Sequence, residues 1–161
     1  EYANYYLHGE HLVINGRTMS KSLGNIRYPE DMLQKNIRPH HLRFFLIYTH
    51  YRSKRNLTGT SFTGAGEYID PIRRLIQKLT QQPDSNTGGS GENAEALSII
   101  ERLRGEFACH ISDDLSLGRA VDGIFKMLRR LADRCFPLPA EAARQLDGEL
   151  ARIDTVLQVL L

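Results

Sequence analysis

From Ser61 onward the apolar residues recur every three or four positions in four successive runs. Tyr68, Ile72, Leu75 and Leu79 form the first, and Leu97, Ile100, Leu103, Phe107 and Ile111 the second. The third is Ala120, Ile124, Leu128, Leu131 and Cys135, and the fourth Leu146, Leu150, Ile153, Leu157 and Leu160. That spacing places each set on one side of a helix of 3.6 residues per turn. A helix with one apolar side must bury it against another element, and four such helices with short connections bury one another as an antiparallel bundle. Residues 61–161 are therefore predicted to form a helical bundle, and the chain to be mainly α. One stretch interrupts the pattern: QQPDSNTGGSGEN at 81–93, whose Gly, Ser, Asn and Pro bury no apolar area and predict a mobile linker. Asp113, Asp114 and Ser116 are candidate caps for the third bundle helix, and Pro137 and Pro139 separate it from the fourth.

The first sixty residues read differently. Residues 1–9 resemble the last turns of a helix closed by Gly9. Leu12, Val13 and Ile14 then suit a short strand, and Asn15-Gly16 is the strongest short turn signal, so the chain is expected to reverse there and continue as a loop. Pro29, Glu30 and Asp31 open a helix with proline and acidic residues in its first turn. Another helix begins at Pro39, with Leu42, Phe45, Leu46 and Thr49 at helical spacing. This gives three expected regions: a strand and loop at 1–25, a helical connector at 26–60, and the bundle at 61–161.

A chain of 161 residues with 41% hydrophobic and 25% charged residues can bury a real core, and no apolar run is long enough to cross a bilayer. A soluble protein is expected. The net charge of +2 is too small to identify a polyanion-binding protein by itself. Cys109 and Cys135 are far apart, with no ligand-spaced neighbours, and are expected to be buried thiols in a reducing compartment. The chain begins with Glu1 and shows no signal-peptide pattern, so further sequence is expected upstream.

The most informative segment for chemistry is Thr18-Met19-Ser20-Lys21-Ser22, followed by Leu23, Gly24 and Asn25. It places an ammonium and several hydroxyls on a loop after a tight turn. Hydroxyls and backbone N–H groups approach phosphate oxygens closely, and an ammonium offsets the negative charge that builds on a departing pyrophosphate. The same residue types also occur in ordinary solvated loops, so composition alone leaves both readings open.

Along its whole length, HLVINGRTMSKSLGN resembles the HG-x-L-x-x-x-G-x-KMSKS-x-GN stretch of class I aminoacyl-tRNA synthetases. HYRSKRN at 50–56 is similar to the HYRS-x-x-N that follows in cysteine-tRNA ligases, DDLSLGRAVDGIFKMLRRL at 113–131 to a segment that opens a helix of their bundle, and RIDTVLQVLL to the helix that completes it. The resemblance implies that Lys21 contacts ATP phosphates and stabilises the adenylation transition state. Thr18, Met19, Ser20 and Ser22 would line the same loop. Thr18 stands where the family motif has its first lysine, with Arg17 adjacent. The implied reaction joins cysteine to tRNA through an ATP-activated carboxylate, in the cytoplasm. Zinc and magnesium are expected only in a full-length enzyme, because the HIGH-type nucleotide motif and the Cys, His and Glu zinc ligands of the family have no counterpart here. The chain alone is expected to be inactive.

Two further clusters stand out in the sequence. Arg38, Arg43, Arg52, Lys54 and Arg55 surround the second short helix, and the resemblance puts this region near the tRNA acceptor strand, so Arg43, Arg52, Lys54 and Arg55 are candidate RNA contacts. His8 with His11, and His40 with His41, lack further ligands at matching spacing. Adjacent His40 and His41 are expected to diverge around a helix, so no metal site is expected. Two other readings share these features: a ligase joining cysteine to an aminosugar-inositol, and a non-catalytic synthetase-like helical binding module.

Overall fold

The computed structural model describes residues 3–81, 90–134 and 137–161. A small three-stranded sheet stands at one end, in the order β2-β1-β3. β1 (Leu12–Ile14) and β2 (Arg17–Thr18) form the expected hairpin, with Val13 opposite Thr18 and Ile14 opposite Arg17. Asn15 at φ 48° and Gly16 at φ 76° both adopt the left-handed region that a two-residue hairpin turn demands. On its other side β1 pairs in parallel with β3 (Arg55–Leu57), with Ile14 opposite Leu57. Sequence reasoning did not find β3, because a three-residue strand with one apolar member carries no alternation to detect.

The helix expected over residues 1–9 is absent from residues 3–9, which are irregular and expose Tyr5, Tyr6 and Leu7. Short helices depend on a packed face for stability, and this segment has none. Its exit is fixed instead by the Glu10 N–H, which donates to Tyr51 O at 2.8 Å.

α1 (Pro29–Leu33) starts as expected, with the Asp31 carboxylate accepting the Tyr28 N–H at 3.1 Å, and the chain turns away at Asn36, φ 59°. α2 (Pro39–Tyr48) buries Phe44 and Phe45, while Leu46, expected on its inner stripe, is 47% exposed. α2 packs on α1 and on two bundle helices, so its buried surface is set by several neighbours and not by one stripe.

The bundle consists of α3 (Ser61–Thr80), α4 (Ser90–Ser112), α5 (Leu117–Ala132) and α6 (Ala140–Leu157). Ile72, Leu79, Ile100, Leu103, Ile124, Leu128, Leu146 and Leu150 are all at most 2% exposed, so each stripe faces the common core. That core is one cluster, running from Ile14 and Met32 under the sheet through Phe44 and Phe45 to Leu160. The expected linker is shorter at its far end than its composition suggests: residues 90–93 are the first turn of α4, and 82–89 lie outside the described residues. Cys109, expected to be buried, is exposed, since it sits two positions past buried Phe107 and therefore on the far side of α4. Cys135 lies outside the described residues. No helix among the described residues is long and apolar enough to cross a membrane.

The first half meets the bundle closely where α2 ends. A Cβ at Gly118, at the start of α5, would stand 2.4 Å from the Tyr48 carbonyl oxygen, so only glycine lets α2 end there. Beside it the Tyr48 hydroxyl donates to Asp122 Oδ1 at 3.0 Å and the Tyr68 hydroxyl to the same oxygen, with Phe44 stacked 5.5 Å from Tyr68. At the far end, Asp154 closes α6: its Oδ1 accepts the N–H groups of Val159 and Leu160, both at 2.8 Å, after Gln158 turns into the left-handed region.

Candidate functional site

The loop after β2 is held by one side chain. Asn25 Oδ1 accepts the Ser20 N–H at 2.9 Å, and Asn25 Nδ2 donates to Thr18 O at 3.0 Å, so the amide bridges the two ends of the loop. Inside it, Ser20 Oγ lies 3.1 Å from Ser22 Oγ and accepts the Leu23 N–H at 3.3 Å, while the Gly24 N–H donates to Lys21 O at 3.0 Å. Gly24 supplies the positive φ, 61°, that closes the turn. Met19 packs against the core and anchors the loop from below. Lys21, Ser22, Arg17 and Thr18 remain exposed, and among the described residues neither Lys21 nor Arg17 has an ion-pair partner. A backbone fixed by its own amide, with an unpaired ammonium and two hydroxyls at the surface, is suited to receive an anion without rearranging.

The basic residues separate into two groups. The Arg43 guanidinium donates to Leu157 O and, at 2.9 Å, to Val156 O, the last carbonyls of α6. Arg55 donates to Thr49 Oγ1 and lies 4.2 Å over the Phe45 ring, where burial pulls its pKa down. Both are occupied within the fold. Lys54 is exposed, and Arg52 is exposed while paired to Asp114. These two form the accessible part of the cluster.

Asp114, expected as a helix cap, instead receives the HYRS segment. His50 Nε2 reaches Asp114 O at 2.8 Å, the Tyr51 hydroxyl donates to Oδ1 at 2.6 Å, and Arg52 Nε donates to Oδ2 at 2.8 Å. Hydrogen bonds from Arg52 and Tyr51, with the nearby positive charge, hold the Asp114 carboxyl below the usual carboxylate range. The backbone pays for this by taking a positive φ at Asp114 and Leu115, 52° and 54°. Ser116 is the N-cap of α5, but its hydroxyl donates backward to Asp113 O at 2.7 Å and no side-chain cap forms.

His40 and His41 do not diverge as expected. Both Nε2 atoms meet Asp70 Oδ1, at 3.3 Å and 2.8 Å, because α3 packs against α2 and brings Asp70 to its first turn. The rings stand edge to face, 4.5 Å apart at 80°. Burial works against the Asp70 carboxylate, yet hydrogen bonds from His41 and His40 hold its pKa below the usual value. Burial lowers the pKa of His40. His8 and His11 are exposed and join no such group among the described residues.

Sequence reasoning thus missed Asn25 as the loop's bridge, Asp114 as the anchor of HYRS, and Asp70 as the meeting point of two histidines. The first two had a signal: each lies inside a block that resembles the family.

The family description "tRNA synthetases class I (C) catalytic domain" matches residues 1–67, which include the sheet, the loop and α2. A cysteine-tRNA ligase of Brachyspira hyodysenteriae is 33% identical over 129 residues, 80% of this chain and 27% of that protein. One from Leptospira interrogans is 28% identical over 158 residues, covering 96% and 33%, and one from Chlamydia muridarum 29% identical over 171 residues, covering 99% and 35%. The chain spans about a third of the length of the curated relatives it matches.

Proposed function

We propose, from the premise that this chain is a relative of the cysteine-tRNA ligases over most of its length, that it is the part of such a ligase carrying the phosphate-contacting loop and the helical bundle behind it. The observation that supports this best is the Asn25-bridged loop, which leaves Lys21 exposed, with no ion-pair partner among the described residues, within the stretch matched to the class I catalytic domain. In this reading residues 1–25 end the catalytic domain, 26–60 connect, and 61–161 form the bundle domain.

The reaction has two steps. A carboxylate oxygen of cysteine attacks the α-phosphorus of ATP, the bond to the bridging oxygen breaks, and pyrophosphate leaves with the electron pair. A hydroxyl of the terminal tRNA ribose then attacks the acyl carbon and expels AMP. Lys21 offsets the charge on the leaving pyrophosphate, Thr18, Ser20 and Ser22 offer hydroxyls to the phosphates, and Met19 holds the loop to the core. The acceptor strand would meet Lys54 and Arg52, while Arg43 and Arg55 support the surface from within. The work is cytoplasmic, with ATP, cysteine and tRNA as partners and magnesium accompanying ATP. The family's thiol-reading zinc does not fit the described residues: no thiolate joins a histidine and a glutamate there, so no step is routed through it.

Charging assays on the polypeptide that contains this chain test the reading. Cysteine transferred to tRNA supports it. Cysteine consumed only with an aminosugar-inositol acceptor would replace tRNA as the substrate, and no ATP turnover with either acceptor would leave a binding module.

A further inference from the structure

We infer that His40, His41 and Asp70 form a binding site for a divalent transition-metal ion, with zinc as the best match, that clasps α2 to α3. This does not rest on the ligase reading. The two imidazoles come from adjacent positions at the start of α2 and the carboxylate from the middle of α3, so an ion held by all three would cross-link two helices.

The spacing of the ligand atoms carries the inference. Zinc binds imidazole nitrogen and carboxylate oxygen at about 2.0–2.2 Å in tetrahedral geometry, which sets neighbouring ligand atoms about 3.3 Å apart. His40 Nε2 stands 3.3 Å from Asp70 Oδ1 and His41 Nε2 2.8 Å, and all three ligand atoms lie within 4.8 Å of one another. Of the two nitrogen–oxygen pairs, one already has the required separation and the other needs to open by about half an ångström to reach it, while the two nitrogens lie within 4.8 Å of each other. Two nitrogens and one oxygen suit zinc, cobalt or nickel, and not the hard ions calcium and magnesium.

The surroundings are arranged for this convergence. A Cβ at Gly66 would stand 2.7 Å from His41 Cε1, so the ring occupies the space that glycine leaves on α3, one turn before Asp70. The edge-to-face arrangement lets each ring present its own Nε2. Arg38 Nη1 lies 3.6 Å from Asp70 Oδ2, which orients the carboxylate and leaves Oδ1 to the histidines. The three side chains are 15–24% exposed, so an ion can reach them, and a cleft of about 600 Å³ lined by His41 and Asp70 offers room for water to complete the coordination.

Titrating the metal-free 161-residue chain with cobalt(II) alone, with zinc as competitor, tests the inference. The expected result is a visible ligand-field band that saturates at one equivalent and is displaced by zinc. It should be lost in His41→Ala and in Asp70→Asn, and retained when His8 and His11 are both replaced by Gln. Zinc should also raise the thermal midpoint of the wild-type chain and leave that of Asp70→Asn unchanged. Should Asp70→Asn fail to fold, as read by far-ultraviolet circular dichroism, His40→Ala takes its place in both measurements. No saturable band in the wild-type chain, or a band that survives loss of these ligands, would overturn the inference and leave the cluster a hydrogen-bonded clasp.

Discussion

Arg52 meets the Asp114 carboxylate with two donors, Nε at 2.8 Å from Oδ2 and Nη2 at 3.2 Å from Oδ1, across 62 residues of chain. With Tyr51 and His50 on the same residue, this joins two of the blocks that resemble cysteine-tRNA ligases into one hydrogen-bonded junction. Its consequence is pH-dependent. The Asp114 pKa is depressed in the fold, so its contribution to stability is complete above the ordinary carboxylate pKa of about 4 and is lost as pH falls through the depressed value. Asp114→Asn should lower the thermal midpoint at neutral pH, and the gap from wild type should close in acid. Melting curves across that range check it; a constant gap would mean the charge of Asp114 is not what matters.

Two glycine substitutions should have opposite signs. Gly118→Ala forces a Cβ onto the Tyr48 carbonyl, which is backbone and cannot swing away, and should cost about 1–3 kcal/mol. Gly105→Ala, inside α4 with nothing within 4 Å of the added atom, should stabilise by about 0.5–1 kcal/mol. Denaturant unfolding of both variants measures the difference.

Arg43 and Lys54 came from one cluster of cations, yet they should behave differently. Arg43→Ala removes two charged hydrogen bonds to the end of α6 and should destabilise by about 1–3 kcal/mol. Lys54→Ala should leave the thermal midpoint unchanged and flatten the salt dependence of tRNA binding by about one counterion. Melting and binding at several salt concentrations separate the two effects.

The bundle should fold without what precedes it. Residues 61–161 carry four mutually buried helices, so this fragment is expected to melt cooperatively. Its midpoint should be lower than that of the whole chain, since Phe44 and Phe45, each 2% exposed, no longer cover α3 and α5. A broad, non-cooperative melt would show that the two parts form one folding unit.

What was legible in the sequence follows from how each feature is encoded. Burial against a common core imprints a period on the chain, so Ile100, Leu103, Ile124 and Leu150 could be assigned to the interior from spacing alone. The Asn15-Gly16 turn was equally clear, because its backbone conformation admits few residues. Leu46 was misplaced because spacing alone does not say which sides of a helix its neighbours will cover, and Cys109 because its residue type, not its place off the Leu103–Phe107 stripe, suggested burial. His41 and Asp70 are 29 residues apart on different helices, and nothing local links them. The partners of Asp114 are farther still, and only the resemblance of both segments to one family suggested that they act together.

Cysteine-dependent exchange of pyrophosphate into ATP, measured for Lys21→Ala in the polypeptide that contains this chain, tests the central claim most directly. A cation on this loop gains most when charge builds on the leaving pyrophosphate, so its loss should slow exchange by roughly 10² to 10³ with a smaller effect on cysteine binding. Because Lys21 is exposed and has no ion-pair partner among the described residues, the thermal midpoint should not change. Thr18→Lys, measured alongside, should be neutral or modestly faster. Exchange at the wild-type rate in Lys21→Ala would mean that the loop does not touch the phosphates, and would contradict the account.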